Sequence, residues 1–151
     1  MINSVCIVGA GFAGLTAARV FKALNYNVTL FEKEADVGGV WSASRRYPGL
    51  TTQNPRETYE LSDFPMPSDY PEWPSGAQVQ RYMLAYITHY RFQDEVHLNS
   101  EVIRAAYDES SEKWTVDVKS KSEGGSYSEQ SNDYDYLIVG NGIFSIPSIP
   151  Q

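Results

Sequence analysis

The sequence predicts an α/β fold, a parallel β-sheet that carries a small antiparallel β insertion. Three features predict it. The runs Val5-Cys6-Ile7-Val8 and Tyr136-Leu137-Ile138-Val139 are short and apolar, the character of strands buried on both faces. After the first run an apolar stripe at helical spacing leads to a further strand-like run, which makes strand, helix, strand within about thirty residues, the size of a βαβ unit. Further on, Trp114, Val116 and Val118 alternate with polar residues, as in a strand with one buried face.

Taken in order, Val5-Cys6-Ile7-Val8 is the first strand and Gly9-Ala10-Gly11 breaks it. The helix that follows presents Ala13, Ala17, Val20, Phe21 and Leu24 on one face. Asn25-Tyr26-Asn27 ends it, and Val28-Thr29-Leu30-Phe31 forms the second strand, closed by Glu32. A right-handed crossover places these two strands side by side and parallel. Residues 38–76 are rich in Gly, Pro, Ser and Thr, with six prolines from Pro48 to Pro74, and so long an irregular stretch marks a functional loop. Residues 76–92 are helical, with Val79, Met83, Tyr86, Ile87 and Tyr90 on one side. Strands are expected at 96–98, 102–107 and 114–118, with a hairpin turn at Gly124-Gly125 in the polar stretch 119–135. The last strand, Tyr136-Leu137-Ile138-Val139, stops at Gly140-Asn141-Gly142. There is no tandem repeat and no long charge block.

The chain has 151 residues and a mass of 17.0 kDa, with 42% hydrophobic and 21% charged residues, which suits one ordinary globular domain. A net charge of −7 argues against a nucleic-acid groove or an anionic membrane surface as the main partner. One cysteine, Cys6, forms no internal disulfide, and two histidines are too few for a Cys/His zinc site. The apolar run 5–18 has no basic flank and is too short to span a bilayer, so it is read as structure and not as a targeting segment. A reducing, cytoplasmic location is the expectation.

Gly9-x-Gly11-x-x-Gly14, with Ala18 four residues on, fits a dinucleotide fingerprint and makes the predicted sheet Rossmann-like. The first glycine allows a tight turn, the second a close backbone approach to pyrophosphate, and the third close packing of helix on sheet. The helix N-terminus offers free N–H groups and a partial positive charge, so an acidic protein holds phosphates without a basic patch. Glu32 lies eighteen residues after Gly14, near the usual spacing of about 20, where a carboxylate accepts ribose hydroxyls and repels a 2′-phosphate. The residues alone therefore leave FAD and NAD open and disfavour NADP at this first site. The plainer alternative is a tight turn plus a solvated Glu.

Gly38-Gly39-Val40-Trp41, Asn54-Pro55-Arg56-Glu57, Ser62-Asp63-Phe64-Pro65-Met66-Pro67 and the tail from Leu137 to Gly142 with Pro147 and Pro150 add a more specific signal. Together with the glycine fingerprint, the chain resembles, end to end, the N-terminal FAD-binding portion of the single-component, NADPH-using flavin-dependent monooxygenases. That family includes the flavin-containing and Baeyer–Villiger enzymes. The resemblance implies FAD as cofactor, NADPH as co-substrate and O2-dependent oxygenation of a small organic substrate. It places Gly9, Gly11 and Gly14 on the FAD pyrophosphate and Glu32 on its adenosine ribose, with Ala10, Phe12, Ala13 and Lys33 also among the cofactor-binding residues. Gly38, Gly39, Val40 and Trp41 lie along the flavin side, and Gly140, Asn141 and Gly142 end the first FAD lobe. Trp41 is read either as a cofactor contact or as a core aromatic. The segment with Gln53 and Asn54 resembles the stretch that faces the reactive flavin edge, which makes these amides the candidate catalytic residues. Many members carry Asn three residues before the basic position held here by Arg56, whereas this chain has Gln53 there and Asn54 beside it. A polar loop cap is the alternative for both.

Ser62-Asp63-Phe64-Pro65 either shapes the substrate side or packs Phe64 in the interior. Arg45, Arg46 and Arg56 are read as surface arginines that have anionic cofactor groups as a second option. His89, His97 and Cys6 are read as structural. No second strand–GxGxxG–helix unit follows, so residues 1–151 are expected to form one incomplete FAD-binding domain without an NADPH domain. A non-catalytic FAD- or NAD-binding module, or an inactive fragment needing a partner chain, is the alternative. The strands at 5–8 and 137–139 are expected to flank an unfinished sheet, whose edge favours a partner chain or self-association.

Overall fold

The first apolar run forms β1 (Ser4–Val8) in the computed structural model of the chain, which describes residues 3–122, 124–144 and 149. Pro147 and Pro150 lie outside them. β1 pairs in parallel with β2 (Asn27–Phe31) on one side and β7 (Tyr136–Val139) on the other, with Val5 opposite both Val28 and Tyr136. β3 (Val96–His97) adds to β2, giving the order β3-β2-β1-β7. The expectation that β1 flanks the sheet is corrected here. The chain returns β7 beside β1 rather than beside β2, so β1 is interior and β7 is the edge on that side.

Side chains on this sheet divide by the two-residue period of a strand. Val5, Ile7, Val28, Leu30 and Ile138 face α1 (Phe12–Ala23) and α3 (Gly76–Tyr90), in one core with Leu15, Ala18, Val79, Met83 and Tyr86. Cys6, Val8, Phe31 and Leu137 face the other way, onto a separate antiparallel sheet of β4 (Ser100–Asp108), β5 (Lys113–Lys121) and β6 (Tyr127–Tyr134) in that order. The result is three layers: helices, parallel sheet, antiparallel sheet. Fully burying a side chain such as Ile7, Leu15 or Leu30 contributes about 1.5–3 kcal/mol, and all three are buried completely or nearly so.

α3 starts on a reciprocal cap, in which Ser75 Oγ accepts from the Gln78 N–H while the Gln78 side chain accepts from the Ser75 N–H. It ends at Tyr90, with Arg91 in the left-handed region, two residues short of the run expected from periodicity. β6 is a full-length strand where the sequence shows only a polar stretch and a turn. Seven of its eight residues are exposed, so no apolar alternation marks it.

Where β6 passes into β7, Asp135 fastens the two sheets together. Its Oδ2 accepts from the Ser4 N–H at 2.6 Å and the Ser4 hydroxyl at 2.8 Å, and its Oδ1 accepts from the Lys113 ammonium. The irregular segment is bound to α3 and to itself. Thr52 N–H donates to Pro74 O (2.9 Å), Gly76 N–H to Leu50 O (2.8 Å), and the Arg56 guanidinium, at the start of α2 (Arg56–Tyr59), to the carbonyls of Ser68 and Tyr70. Phe64 packs among Tyr82, Tyr86, His89 and Tyr90, with ring centroids 5.0–6.2 Å apart, which selects interior packing over a substrate-facing role. Burial pushes the Cys6 thiol up to about 12, which leaves it an inert core residue.

Candidate functional site

The three glycines of the fingerprint do different work. Gly9 leaves β1 at φ +96°, and a Cβ there would lie 2.6 Å from Gly140 O. At Gly14 a Cβ would lie 1.8 Å from Gly9 O, so this glycine lets α1 close onto the turn. Gly11 differs from both. Its φ of −84° suits any residue, and a Cβ there would meet only Gly39 Cα, at 4.0 Å. Neither backbone strain nor packing accounts for glycine at this position.

α1 begins at Phe12 with no side chain capping it and no acid in its first turn, which leaves its first N–H groups without intrahelical partners. These amides and the positive end of the helix dipole make an anion cradle. Glu32, at the end of β2, is 6% exposed. Its Oε2 accepts from the Ala10 N–H at 2.7 Å and its Oε1 from the Glu34 N–H at 2.9 Å. Both oxygens retain a free lone pair. The ribose-acceptor expectation thus gains a second component, since Glu32 also holds the glycine-rich turn. Gly38 N–H donates to Ala10 O at 2.9 Å, so Ala10 joins the turn to the loop after β2.

Between these elements lies a cavity of about 990 Å³, at the top of the usual range of roughly 300–1,000 Å³ for small-molecule sites. It runs across the carboxyl ends of β1, β2 and β7, where ligands of open α/β sheets bind. Gly9, Gly11, Phe12, Ala13, Glu32, Lys33, Gly39, Val40, Trp41, Gly140, Asn141 and Gly142 line it, as does Gly38. Two residues of the expected cofactor-binding set do not. Ala10 is fully buried and acts through its backbone, and Gly14 is packed under the turn. Gln53 and Asn54 are exposed on the loop outside the cavity lining, and Asn54 O accepts from the Thr52 hydroxyl at 2.8 Å.

Sequence reading missed two walls. Residues 100–105 of β4 form one side, at a bulge between Val102 and Arg104 that leaves Ile103 out of the pairing. Tyr59 of α2 forms another, edge-on to Trp41 (5.6 Å) and to Phe12 (5.5 Å), and burial pushes its hydroxyl pKa up. Neither carries a motif, because both reach the cavity only through tertiary folding. Of the arginines, Arg45 lines the cavity and donates to Phe144 O, whereas Arg46 and Arg56 hold backbone and side-chain oxygens within the fold. Among the described residues no cluster of His, Cys, Asp and Glu is placed to hold a metal ion. Among them also, no helix is long and apolar enough to cross a membrane.

With this geometry in place, the comparisons decide the family. The sequence model of the family described as FMO-like, Flavin-binding monooxygenase-like, matches residues 2–151. The chain belongs to this flavin-binding monooxygenase family. Its members are flavin monooxygenases, which makes the expected cofactor class and enzyme class those of the family. Among curated relatives, flavin-containing monooxygenase FMO GS-OX-like 6 of Arabidopsis thaliana is 30% identical over 97% of this chain and 36% of its own length. Among solved structures, S-allyl-L-cysteine S-oxygenase from Allium sativum superposes with a TM-score of 0.82 at 26% identity, over 100% of this chain and 39% of that one. Tmm from Pelagibacter sp. strain HTCC7211 does so with a TM-score of 0.83 at 26% identity, over 98% and 38%. The chain therefore spans well under half the length of these flavin monooxygenases, and the three-layer arrangement matches theirs.

Proposed function

We propose that these 151 residues form a single FAD-binding lobe of a flavin-dependent monooxygenase that uses NADPH and O2 to oxygenate a small organic substrate. The observation that carries this reading is Gly11. A residue under no backbone strain, whose missing Cβ borders only open cavity and Gly39, is what a close-lying phosphate requires. The residues around it fit the group. The first amides of α1 bind the pyrophosphate, Glu32 and Lys33 receive the adenosine ribose, and Gly39 with Val40 and Trp41 lies along the flavin-side portion. Gly140, Asn141 and Gly142 close the far side. Bound FAD supplies the redox and oxygen-activating chemistry, and the chain's own part is to bind, orient and exclude water.

Gln53 and Asn54 stand as candidate hydrogen-bond donors to the reacting edge, a role that needs the cofactor to extend to their exposed loop. That exposure favours a second reading, in which this lobe binds the nucleotide and has no turnover of its own. An FAD titration of the purified chain by flavin fluorescence, followed by NADPH in air, separates the two. Saturable FAD binding with NADPH oxidation supports the enzyme. Binding without oxidation supports the non-catalytic lobe, and absence of binding refutes both.

A further inference from the structure

Gln80 lies on the buried side of α3 and is 8% exposed, yet it is no part of that helix's apolar pattern. Burying an amide is costly unless all its hydrogen-bonding groups are satisfied. Here they are, and every partner belongs to one loop. Nε2 donates to Asp36 Oδ2 at 2.7 Å and to Val37 O at 2.9 Å, while Oε1 accepts from Arg46 Nη1. The same Arg46 nitrogen reaches Trp41 O at 3.3 Å, and Asp36 Oδ2 also accepts from the Ala43 N–H at 2.9 Å. One side chain thus grips both stems of the segment 38–45, which carries Gly38, Gly39, Trp41 and Arg45 into the cavity.

Across the cavity, the other fixed edge is the glycine-rich turn. Gly38 N–H meets Ala10 O at 2.9 Å, and Gly39 faces Gly11 backbone to backbone. The distance between Gly11 and Gly39 therefore depends on where the stems of the loop are held. We infer that Gln80 is a positioning residue for the cofactor, setting through Asp36, Val37 and Arg46 the place of the Gly38–Trp41 loop against the glycine-rich turn. This rests on the proposed FAD site and adds a determinant outside it, since Gln80 is absent from the cavity lining. Asp36 Oδ1 is buried without a partner among the described residues, so this carboxylate has little reserve if Gln80 is lost.

The test measures the FAD dissociation constant and the visible circular dichroism of bound flavin in the full chain and three variants. Gln80→Leu fills the same space without the hydrogen bonds, and should weaken FAD binding by about tenfold and alter the flavin spectrum. Gln80→Glu keeps an acceptor for Arg46 but sets a carboxylate against Asp36 and Val37 O, and should weaken binding at least as much. The double variant Asp36→Asn with Gln80→Glu removes the clash of the two carboxylates and should recover part of the binding lost in Gln80→Glu. It should recover only part, because Val37 O still faces a carboxylate and the Ala43 N–H loses its acceptor. A role in packing alone would give no such rescue. Wild-type affinity and spectrum in Gln80→Leu, or no recovery in the double variant, would overturn the inference while the FAD site stands. Should Gln80→Leu fail to fold, the pair Gln80→Glu and the double variant decides by the presence or absence of recovery. A wild-type chain that takes no FAD would instead overturn the proposed function, and this inference with it.

Discussion

Glu32 Oε2 accepts a hydrogen bond from the backbone N–H of Ala10 at 2.7 Å, so the end of the second strand holds the turn that leaves the first. The acid of the dinucleotide fingerprint is thereby part of the frame as well as the group proposed to face a ribose. A second backbone amide, Glu34 N–H, is held by Oε1 at 2.9 Å. Glu32→Ala leaves both amides without their charged acceptor, and a hydrogen bond to a charged group contributes about 1.5–3 kcal/mol. Chemical denaturation should show a loss of that order in the chain without ligand. An effect on FAD binding alone, with unchanged stability, would mean these two bonds do not hold the turn.

The fingerprint glycines should separate by assay. Gly14→Ala puts a methyl group 1.8 Å from Gly9 O and should prevent native packing of α1, seen as lost cooperativity in thermal unfolding. Gly11→Ala meets nothing closer than 4.0 Å and should unfold within about 1 kcal/mol of wild type, the size of an ordinary Gly-to-Ala change.

Tyr82 joins α3 to the proline-rich segment, accepting from the Leu61 N–H at 2.7 Å and donating to Phe64 O. Tyr82→Phe should cost about 1–3 kcal/mol, since the Leu61 N–H loses its partner. Burial also pushes this hydroxyl up to about 12, and Tyr86 likewise. An unfolded tyrosine ionises near pH 10, while the folded one keeps its proton. Stability should therefore be full below about pH 10 and fall as the pH rises toward 12, with a shallower fall in Tyr82→Phe.

Asp135 carries the opposite dependence. The Lys113 ammonium, then the Ser4 N–H and hydroxyl, hold its carboxyl well below the usual range. Its contribution is complete above the unfolded value of about 3.9 and is lost as the pH falls through the lower folded value. Asp135→Asn should be less stable than wild type at neutral pH, and the gap should narrow in acid. Urea midpoints measured across the acid range would show it.

The parallel sheet was legible because each of its longer strands is apolar on both faces, with Val5 and Ile7 toward the helices and Cys6 and Val8 toward the second sheet. The fingerprint was legible because Gly9, Gly14 and Glu32 sit in a local strand–turn–helix–strand order. β6 was not, since its neighbours in space are solvent and β5, and polar side chains satisfy both. Tyr59 and the bulge at Ile103 were illegible for a related reason. They become cavity walls only when α2 and β4 dock, which no local spacing records. Nor does periodicity mark Gln80, because a satisfied buried amide breaks the apolar pattern without announcing its partners. At β1 the spacing of apolar runs gave strands but not their order, and the strand expected at a flank lies inside the sheet.

The central claim is that FAD lies against the backbone at Gly11, with its pyrophosphate on the first amides of α1. The most direct measurement is a fluorescence titration with FAD of wild type and Gly11→Val, together with their thermal unfolding midpoints. The account predicts saturable binding by wild type, none by Gly11→Val, and a cooperative unfolding transition in both. Equal FAD affinity in a folded Gly11→Val chain would contradict it.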